Sequence, residues 1–199
     1  MATKDGTDLL KQAFALLAER GWRRFSFAEL ARRTGVGLAE VYAELPGRPA
    51  LLRALGRRLD REMLQIDLAE LDGMTPRERM FELIMRRLDA MVPYKEGLRV
   101  LARASRRQPD VLLTACCNLD RLSRRLLDAA AGERPLVFGR LARRAAQLVY
   151  LCTLRVWLDD DSPDMARTLA ELDRRLQQAE TAARWLGGSG RARDEAAPA

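Results

Sequence analysis

The stretch SFAELARRTGVGLAEVY, residues 26–42, decides the fold that this sequence predicts. Apolar residues at helical spacing run over 27–34 and again over 38–44, and Gly35 separates the two runs. Ser26 and Glu29 have the S-x-x-E spacing of a capping box, in which each side chain accepts a hydrogen bond from the other residue's amide. Two short helices joined by a tight glycine turn are typical of a helix-turn-helix.

The rest of the chain also has helical periodicity. Apolar residues recur at three- and four-residue spacing from Leu9 to Leu186, and alternating β-branched runs are absent, so we predict an all-α fold. An N-terminal helix-turn-helix domain of three to four helices is predicted over residues 1–58, a C-terminal helical bundle over 59–187, and a disordered tail over 188–199. Helices are predicted over roughly residues 8–18, 27–34, 38–44, from 49 onward, 76–91, 94–107, 109–131, 135–159 and 163–186.

Composition narrows the functional classes. The chain has 199 residues, no histidine, and 35 Lys plus Arg against 28 Asp plus Glu, a net charge of +7. The lack of histidine excludes Cys2His2 zinc sites and Ser-His-Asp triads. No Gly-rich phosphate loop or G-x-S-x-G elbow occurs, so we expect no enzyme, no cofactor and no metal site. The positive charge favours a polyanionic partner, either nucleic acid or an anionic membrane surface, and does not choose between the two.

The cysteines and one acidic run are predicted to be structural. The spacing of the three cysteines, Cys116, Cys117 and Cys152, does not suit metal chelation. We therefore expect them to be small, buried hydrophobic side chains of a protein in a reducing compartment. The run Asp159–Asp161 lacks EF-hand spacing and is expected to form a solvated turn between helices. The N-terminus has no signal-peptide pattern and no stretch reaches 18 apolar residues, which predicts a cytoplasmic protein.

Residues 8–56 resemble the DNA-binding domain of TetR-family transcriptional regulators. The resemblance rests on the segment Ala13–Trp22, on residues 26–36, on Val41-Tyr42 and on Leu45–Leu52. It implies a TetR-like fold, a homodimer, a double-stranded DNA operator, and repression until a ligand binds the C-terminal domain. The resemblance, together with the basic fringe that also includes Arg23, Arg24 and Arg32, gives the predicted DNA-binding residues as Ser26, Arg33, Gly37, Leu38, Ala39, Tyr42 and Arg48.

The predicted recognition helix departs from the family pattern. Gly37 and Leu38 stand where a Ser or Thr cap and a Lys are usual, and Tyr42 is not followed by His and an aromatic residue. Glu40 and Glu44 add two carboxylates, which the phosphates of a duplex repel. The sequence is therefore also compatible with a second function that does not involve sequence-specific DNA binding.

A second resemblance covers about residues 78–186. The segments Met80–Asp89 and Thr153–Asp161 look like the C-terminal domain of the lipid-binding accessory proteins of ubiquinone biosynthesis, which share the TetR fold. It implies a non-catalytic protein that binds isoprenoid lipid and has lost sequence-specific DNA binding. In either interpretation a Met-rich helix face and Trp157 would hold an apolar small molecule or lipid, although such faces also form ordinary cores. The predicted pocket residues are Phe81, Ile84, Met85, Leu88, Met91 and Trp157.

The last predicted helix carries a heptad seam. Its apolar residues run from Met165 to Leu186 at alternating spacings of four and three. This seam and the preceding helix would pack against a second copy to form a homodimer. Packing within one chain, and docking on a membrane through the flanking arginines, are the alternatives. The predicted interface residues are Leu141, Ala145, Leu148, Cys152, Leu169, Leu172 and Leu176.

Overall fold

A computed structural model describes residues 8–105, 107–131 and 139–194, without the side chains of Leu68 and residues 185–194. No strand occurs among these residues, so the all-α prediction is confirmed. The α-helices are α1 (Leu9–Arg24), α2 (Phe27–Thr34), α3 (Leu38–Glu44), α4 (Arg48–Leu64), α5 (Pro76–Met91), α6 (Lys95–Ser105), α7 (Pro109–Ala131), α8 (Gly139–Leu158) and α9 (Ala166–Asp194). Short 3-10 helices cover Leu68–Leu71 and Val92–Tyr94.

The helix α1 begins at a side-chain cap and breaks at a glycine. Asp8 Oδ1 accepts from the amide of Lys11 at 3.1 Å, which satisfies one of the free donors of the first turn. Gly21 has φ 75° and ψ 165°, a conformation that glycine adopts without steric cost. The sequence predicts a stop at this glycine, and the structure adds one more turn after it, up to Arg24.

The contacts within the chain form two compact units, and the first contains the residues up to Ile66 together with Arg86–Leu122. In this unit α1 packs on α6 and on the 3-10 helix before it, whose Tyr94 ring meets the Phe14 ring edge to face at 5.4 Å between centroids. A Cβ on Gly97 would lie 2.7 Å from the carbonyl oxygen of Phe14. The close approach of α6 to α1 therefore depends on a glycine at this position.

A buried polar network joins α4 to the end of α5 and to α7 in the same unit. The carboxylate of Asp60, only 1% exposed, accepts from Arg87 Nη1 at 2.5 Å and from Arg121 Nε at 3.1 Å. Arg121 Nη2 also donates to Asn118 Oδ1 at 2.7 Å, and Asn118 Nδ2 donates to the carbonyl oxygen of Leu52 at 2.8 Å. Each polar group is paired, as burial of a charge requires.

The second unit contains Asp67–Met85 and the residues from Ser123 onward. Here α8 packs along α9, and Trp157 is fully buried. Arg77 in α5 donates to Asp173 in α9 at 2.5 Å, so the first turn of α5 is held against α9. This grouping of contacts does not test whether the chain folds as two domains that meet at residue 58, so that boundary stays a prediction.

The C-terminal helix differs from the sequence-based expectation. A disordered tail is expected over 188–199, whereas α9 continues to Asp194. Residues 191–193 are Arg and Ala, which are good helix formers, whereas Gly188 and Gly190 before them are poor ones, so the local composition does not explain the extension. Residues 195–199, and residues 132–138 that include the predicted start of α8, lie outside the described residues.

Candidate functional sites

The predicted helix-turn-helix is formed by α2, a glycine turn and α3. Gly35 has φ 70° and ψ 4°, so it ends α2 in the left-handed conformation that glycine favours. Leu30 and Val41 are fully buried, and they fix one helix against the other. Phe27 extends this core, because its ring contacts Phe25 and Tyr42 at centroid distances of 5.2 Å each.

The capping box predicted at the start of α2 does not form. The Ser26 side chain makes no cap hydrogen bond. Glu29 Oε1 accepts from Arg20 Nε of α1 at 2.8 Å. The Glu29 carboxylate therefore pairs with α1 and does not reach back to the amide of Ser26. The half-buried hydroxyl of Ser26 is consequently left at the beginning of α2 without its predicted role as a cap.

The face of α3 opposite the buried Val41 is open to solvent. Leu38 is 45% and Tyr42 is 47% exposed, and Ala39 and Glu40 are exposed between them. Gly37 precedes α3 and provides no side-chain cap. The structure therefore brings four of the seven predicted DNA-binding residues, Gly37, Leu38, Ala39 and Tyr42, together on one exposed element.

The two predicted DNA-binding arginines are engaged inside the unit. Arg33 Nη1 donates to both carboxylate oxygens of Glu19 at 2.7 Å. Arg48 Nη2 donates to the carbonyl oxygen of Phe25 at 2.8 Å, and its guanidinium lies 5.2 Å from the ring centroid of Trp22. In this conformation both arginines hold helices of the domain together, which the sequence pattern did not indicate.

Three other arginines in or beside the helix-turn-helix carry charge that is not neutralised locally. Arg23 and Arg24 at the end of α1, and Arg32 in α2, are exposed. None of them forms an ion pair with another residue in the part of the chain that the structure describes. These side chains, more than Arg33 and Arg48, are available to contact an anion.

A cleft of about 350 Å³ lies between α1, α3 and α4, and the sequence analysis missed it. Leu10 and Leu45 supply apolar lining, and Arg57, Arg61 and Glu44 supply charge. The sequence signal was the spacing of Arg57 and Arg61, since residues four apart share one face of a helix.

The residues predicted to line a ligand pocket are mostly packed core. In the second unit Ile84 and Trp157 are fully buried, and Phe81 and Met85 are half-buried. Two further predicted residues belong to the first unit, where both are buried: Leu88 and Met91. An apolar ligand at these positions stays a prediction.

The predicted dimer residues divide into exposed and buried groups. Leu141 is 50% and Leu148 is 59% exposed on α8, where Leu151, which was not predicted, is also exposed. Leu172 and Leu176 are buried in α9, so this part of the heptad seam packs inside the unit as the single-chain alternative expects. The remaining predicted residues, Ala145, Cys152 and Leu169, are half-buried.

The central aspartate of the acidic run is buried, so the predicted solvated turn is wrong at this residue. Asp160 is 1% exposed, and its Oδ2 accepts from the amide and the hydroxyl of Thr168 at 2.9 and 2.7 Å. Its Oδ1 accepts from the amide and the hydroxyl of Ser162 at 3.2 and 2.5 Å. These hydrogen bonds, first of all that from the Ser162 hydroxyl, hold the pKa of Asp160 below its ordinary value. The run thus caps the connection between α8 and α9.

Two of the three cysteines were predicted wrongly to be buried. Cys116 and Cys117 are exposed thiols on α7, and Cys152 is half-buried. Thr114, two positions before Cys116, faces inward instead. Among the described residues, no group of three or more Cys, Asp or Glu side chains could hold a metal ion.

None of the helices in the described ranges has the length and apolarity needed to cross a membrane.

Two family models match different parts of the chain. Residues 9–55 match the model for bacterial regulatory proteins of the tetR family. Residues 129–183 match the COQ9 family model. No curated protein matches the chain. Both resemblances found in the sequence are therefore confirmed, the second over residues 129–183, which include Thr153–Asp161 but not Met80–Asp89.

Solved structures similar to this chain include transcriptional regulators. The TetR transcriptional regulator from Nitrosomonas europaea ATCC 19718 is 25% identical with a TM-score of 0.73, and the match covers 86% of this chain and 95% of that chain. A TetR transcriptional regulator from Rhodococcus sp. RHA1 is 18% identical with a TM-score of 0.58 over 86% and 92% of the two chains. A further transcriptional regulator from Rhodococcus sp. RHA1 is 18% identical with a TM-score of 0.61 over 87% and 95%. The predicted TetR-like fold is confirmed.

Proposed function

We propose that this chain, which carries a tetR-type helix-turn-helix on a TetR-like fold, is a non-enzymatic transcriptional regulator that binds operator DNA. The observation that carries the proposal is the tetR-type match over residues 9–55, on a helix-turn-helix whose second helix presents Leu38, Ala39 and Tyr42 to solvent. A recognition helix must expose its first residues to base edges in this way.

The contacts with DNA follow from the chemistry of the exposed side chains. Leu38 and Ala39 have only apolar groups to offer, which suits the methyl group of thymine. Tyr42 has a hydroxyl that can donate to a phosphate oxygen. Arg32 supplies a positive charge on the first helix of the helix-turn-helix, and Glu40 can accept from the amino group of cytosine.

The regulator would act as a homodimer that responds to an apolar ligand. Leu141, Leu148 and Leu151 give α8 an exposed apolar face, which supports self-association. Two copies would place their α3 helices in half-sites one helical turn apart, about 34 Å. A ligand held in the C-terminal half would change this spacing and hence the affinity for the operator.

A salt-titrated binding assay tests DNA recognition. DNA flanking the chain's own coding region is compared with random duplex of equal length. A specific site should bind at least about a thousandfold more tightly than random DNA. Equally weak binding to both duplexes, lost at moderate salt, would contradict the proposal.

Matched arginine variants test whether DNA binds at the helix-turn-helix. Arg32→Ala and Arg167→Ala each remove one exposed guanidinium that makes no ion pair among the described residues, the first in the helix-turn-helix and the second on α9. Arg32→Ala should weaken binding to all duplexes and reduce the salt slope by about 1. Arg167→Ala should leave both quantities unchanged, and an equal loss in both variants would indicate non-specific charge attraction.

A second candidate function is isoprenoid-lipid binding without DNA recognition. The match of residues 129–183 to the COQ9 model favours it, as does the pair of carboxylates on α3, Glu40 and Glu44. Organic extraction of the purified protein, followed by mass spectrometry, should then return a polyprenyl compound. Under this candidate the wild type shows no preference for any duplex, and Tyr42→Ala leaves the recovered lipid unchanged. Specific DNA binding that Tyr42→Ala weakens would favour the first candidate instead.

A further inference from the structure

Two adjacent thiols lie on the solvent face of α7. Cys116 and Cys117 are both exposed and free, in the middle of a continuous helix. The opposite face of the helix is anchored, since Val111 is 1% and Leu122 is 2% exposed. The thiols are therefore held on a fixed element with open access to small molecules.

Helix geometry keeps this pair from closing into a disulfide. Adjacent Cα atoms across a trans peptide are about 3.8 Å apart, whereas a disulfide needs Cα atoms roughly 4.4–6.8 Å apart. A bond between Cys116 and Cys117 would distort α7. The pair consequently remains a dithiol on adjacent positions of one helix. Rotation about the two Cα–Cβ bonds can bring both sulfurs to one bridging atom that is larger than sulfur.

We propose that Cys116 and Cys117 form a binding site for a trivalent arsenical. The arsenic of an arsenoxide exchanges its oxygen for the two sulfurs. Two S–H bonds and the bonds from arsenic to oxygen break, two As–S bonds form, and both protons leave with the oxygen as water. No atom changes its oxidation state, so the step needs no oxidant or reductant.

The surroundings of the thiols favour an arsenical with an aryl group. Leu112 is 52% and Leu113 is 66% exposed, one turn before the cysteines on the same side of α7. An aryl ring bound through arsenic can cover these leucines, whereas an inorganic arsenite cannot. Asn118, which follows Cys117, donates to the carbonyl oxygen of Leu52 on α4. A bound group is thus next to the contact that joins α7 to α4.

Phenylarsine oxide is the probe that tests the site on the full-length protein. Native mass spectrometry should show one phenylarsenic group per wild-type chain, retained in excess monothiol and removed by a dithiol. Cys116→Ser and Cys117→Ser should each bind about a hundredfold more weakly or worse, because the second sulfur no longer binds intramolecularly. Cys152→Ser is the matched control and should bind as the wild type does.

Leu113→Gln separates the apolar contribution from the thiol chemistry. It should weaken phenylarsine oxide more than a methyl arsenical, with the stoichiometry unchanged. Full retention of the adduct in either Cys116→Ser or Cys117→Ser, or its loss in Cys152→Ser, would overturn the proposal. A wild-type chain that binds no phenylarsenic in excess monothiol would overturn it as well.

Discussion

Asp160 organises the start of α9 through one carboxylate. Four donors from Ser162 and Thr168 point at its two oxygens, and the group is almost fully buried. Because these hydrogen bonds favour the charged form, the pKa in the folded protein lies below that in the unfolded chain. The resulting stability is present above the unfolded pKa of about 3.9 and is lost as the pH falls through the folded value.

We predict that Asp160→Asn lowers the free energy of unfolding by about 1 to 3 kcal/mol at pH 7. The amide nitrogen of the variant would face hydrogen-bond donors and leave them unpaired. Urea unfolding at a series of pH values measures the effect, and the difference from wild type should shrink below about pH 4. Asp159→Asn, at an exposed neighbour, is the control and should change little. A difference that grows on acidification would refute this account.

Residue spacing alone does not decide whether a capping box forms. Ser26 and Glu29 have the expected spacing, but Arg20 from another helix takes the carboxylate. Thr75 and Glu78 have the same spacing and do form the box, with Glu78 Oε2 accepting from the amide of Thr75 at 2.7 Å. This hydrogen bond, the larger cause, and that from the Thr75 hydroxyl lower the pKa of Glu78. Competition by a distant side chain cannot be read from a local pattern.

At the scale of elements, helical periodicity predicted most helix bounds correctly. It predicted less well which part of the protein packs against each apolar face. The predicted ranges for α2, α3, α5 and α7 agree with the structure. The heptad seam on α9 indicated an interface between copies, but Leu172 and Leu176 pack within the unit. Periodicity shows that a face is apolar, and only the folded chain shows what covers it. The same reason explains why Cys116 was expected to be buried.

The packing of α6 on α1 gives a second prediction. A methyl group at position 97 would lie 2.7 Å from the backbone oxygen of Phe14, so one helix has to move. We expect Gly97→Ala to lower the free energy of unfolding by about 1 to 3 kcal/mol. Gly139→Ala is the matched control, since no atom lies within 4 Å of the added Cβ. Equal stability of the two variants in thermal unfolding would contradict the predicted contact.

The exposed face of α8 gives a third prediction. If α8 forms the dimer interface, Leu148→Glu places a charge in an apolar contact and should convert the protein to a monomer. Leu112→Glu changes an equally exposed leucine on α7 and should leave the oligomeric state as in wild type. Sedimentation velocity at several concentrations distinguishes these outcomes. Dissociation by Leu112→Glu alone would assign the interface to α7 instead.

At the scale of the whole molecule, the first compact unit is discontinuous in sequence. It needs Arg86–Leu122 in addition to the residues up to Ile66. We predict that a fragment ending at residue 66 does not unfold cooperatively, because Phe14 loses Tyr94 and the buried Asp60 loses both arginines. A fragment ending at residue 122 retains these partners and should show a cooperative transition by circular dichroism. A cooperative transition of similar midpoint in the shorter fragment would disprove the dependence.

The network around Asp60 limits how such a chain can recombine during evolution. A gene fusion that joins residues 1–66 of this protein to the C-terminal half of another protein of TetR-like fold would separate Asp60 from Arg87 and Arg121. Unless the donor supplied matching cations, the hybrid would inherit a buried negative charge without a counterion. Divergence of the α3 surface among chains of this fold should therefore proceed by substitutions, because its exposed side chains can change without disturbing that carboxylate.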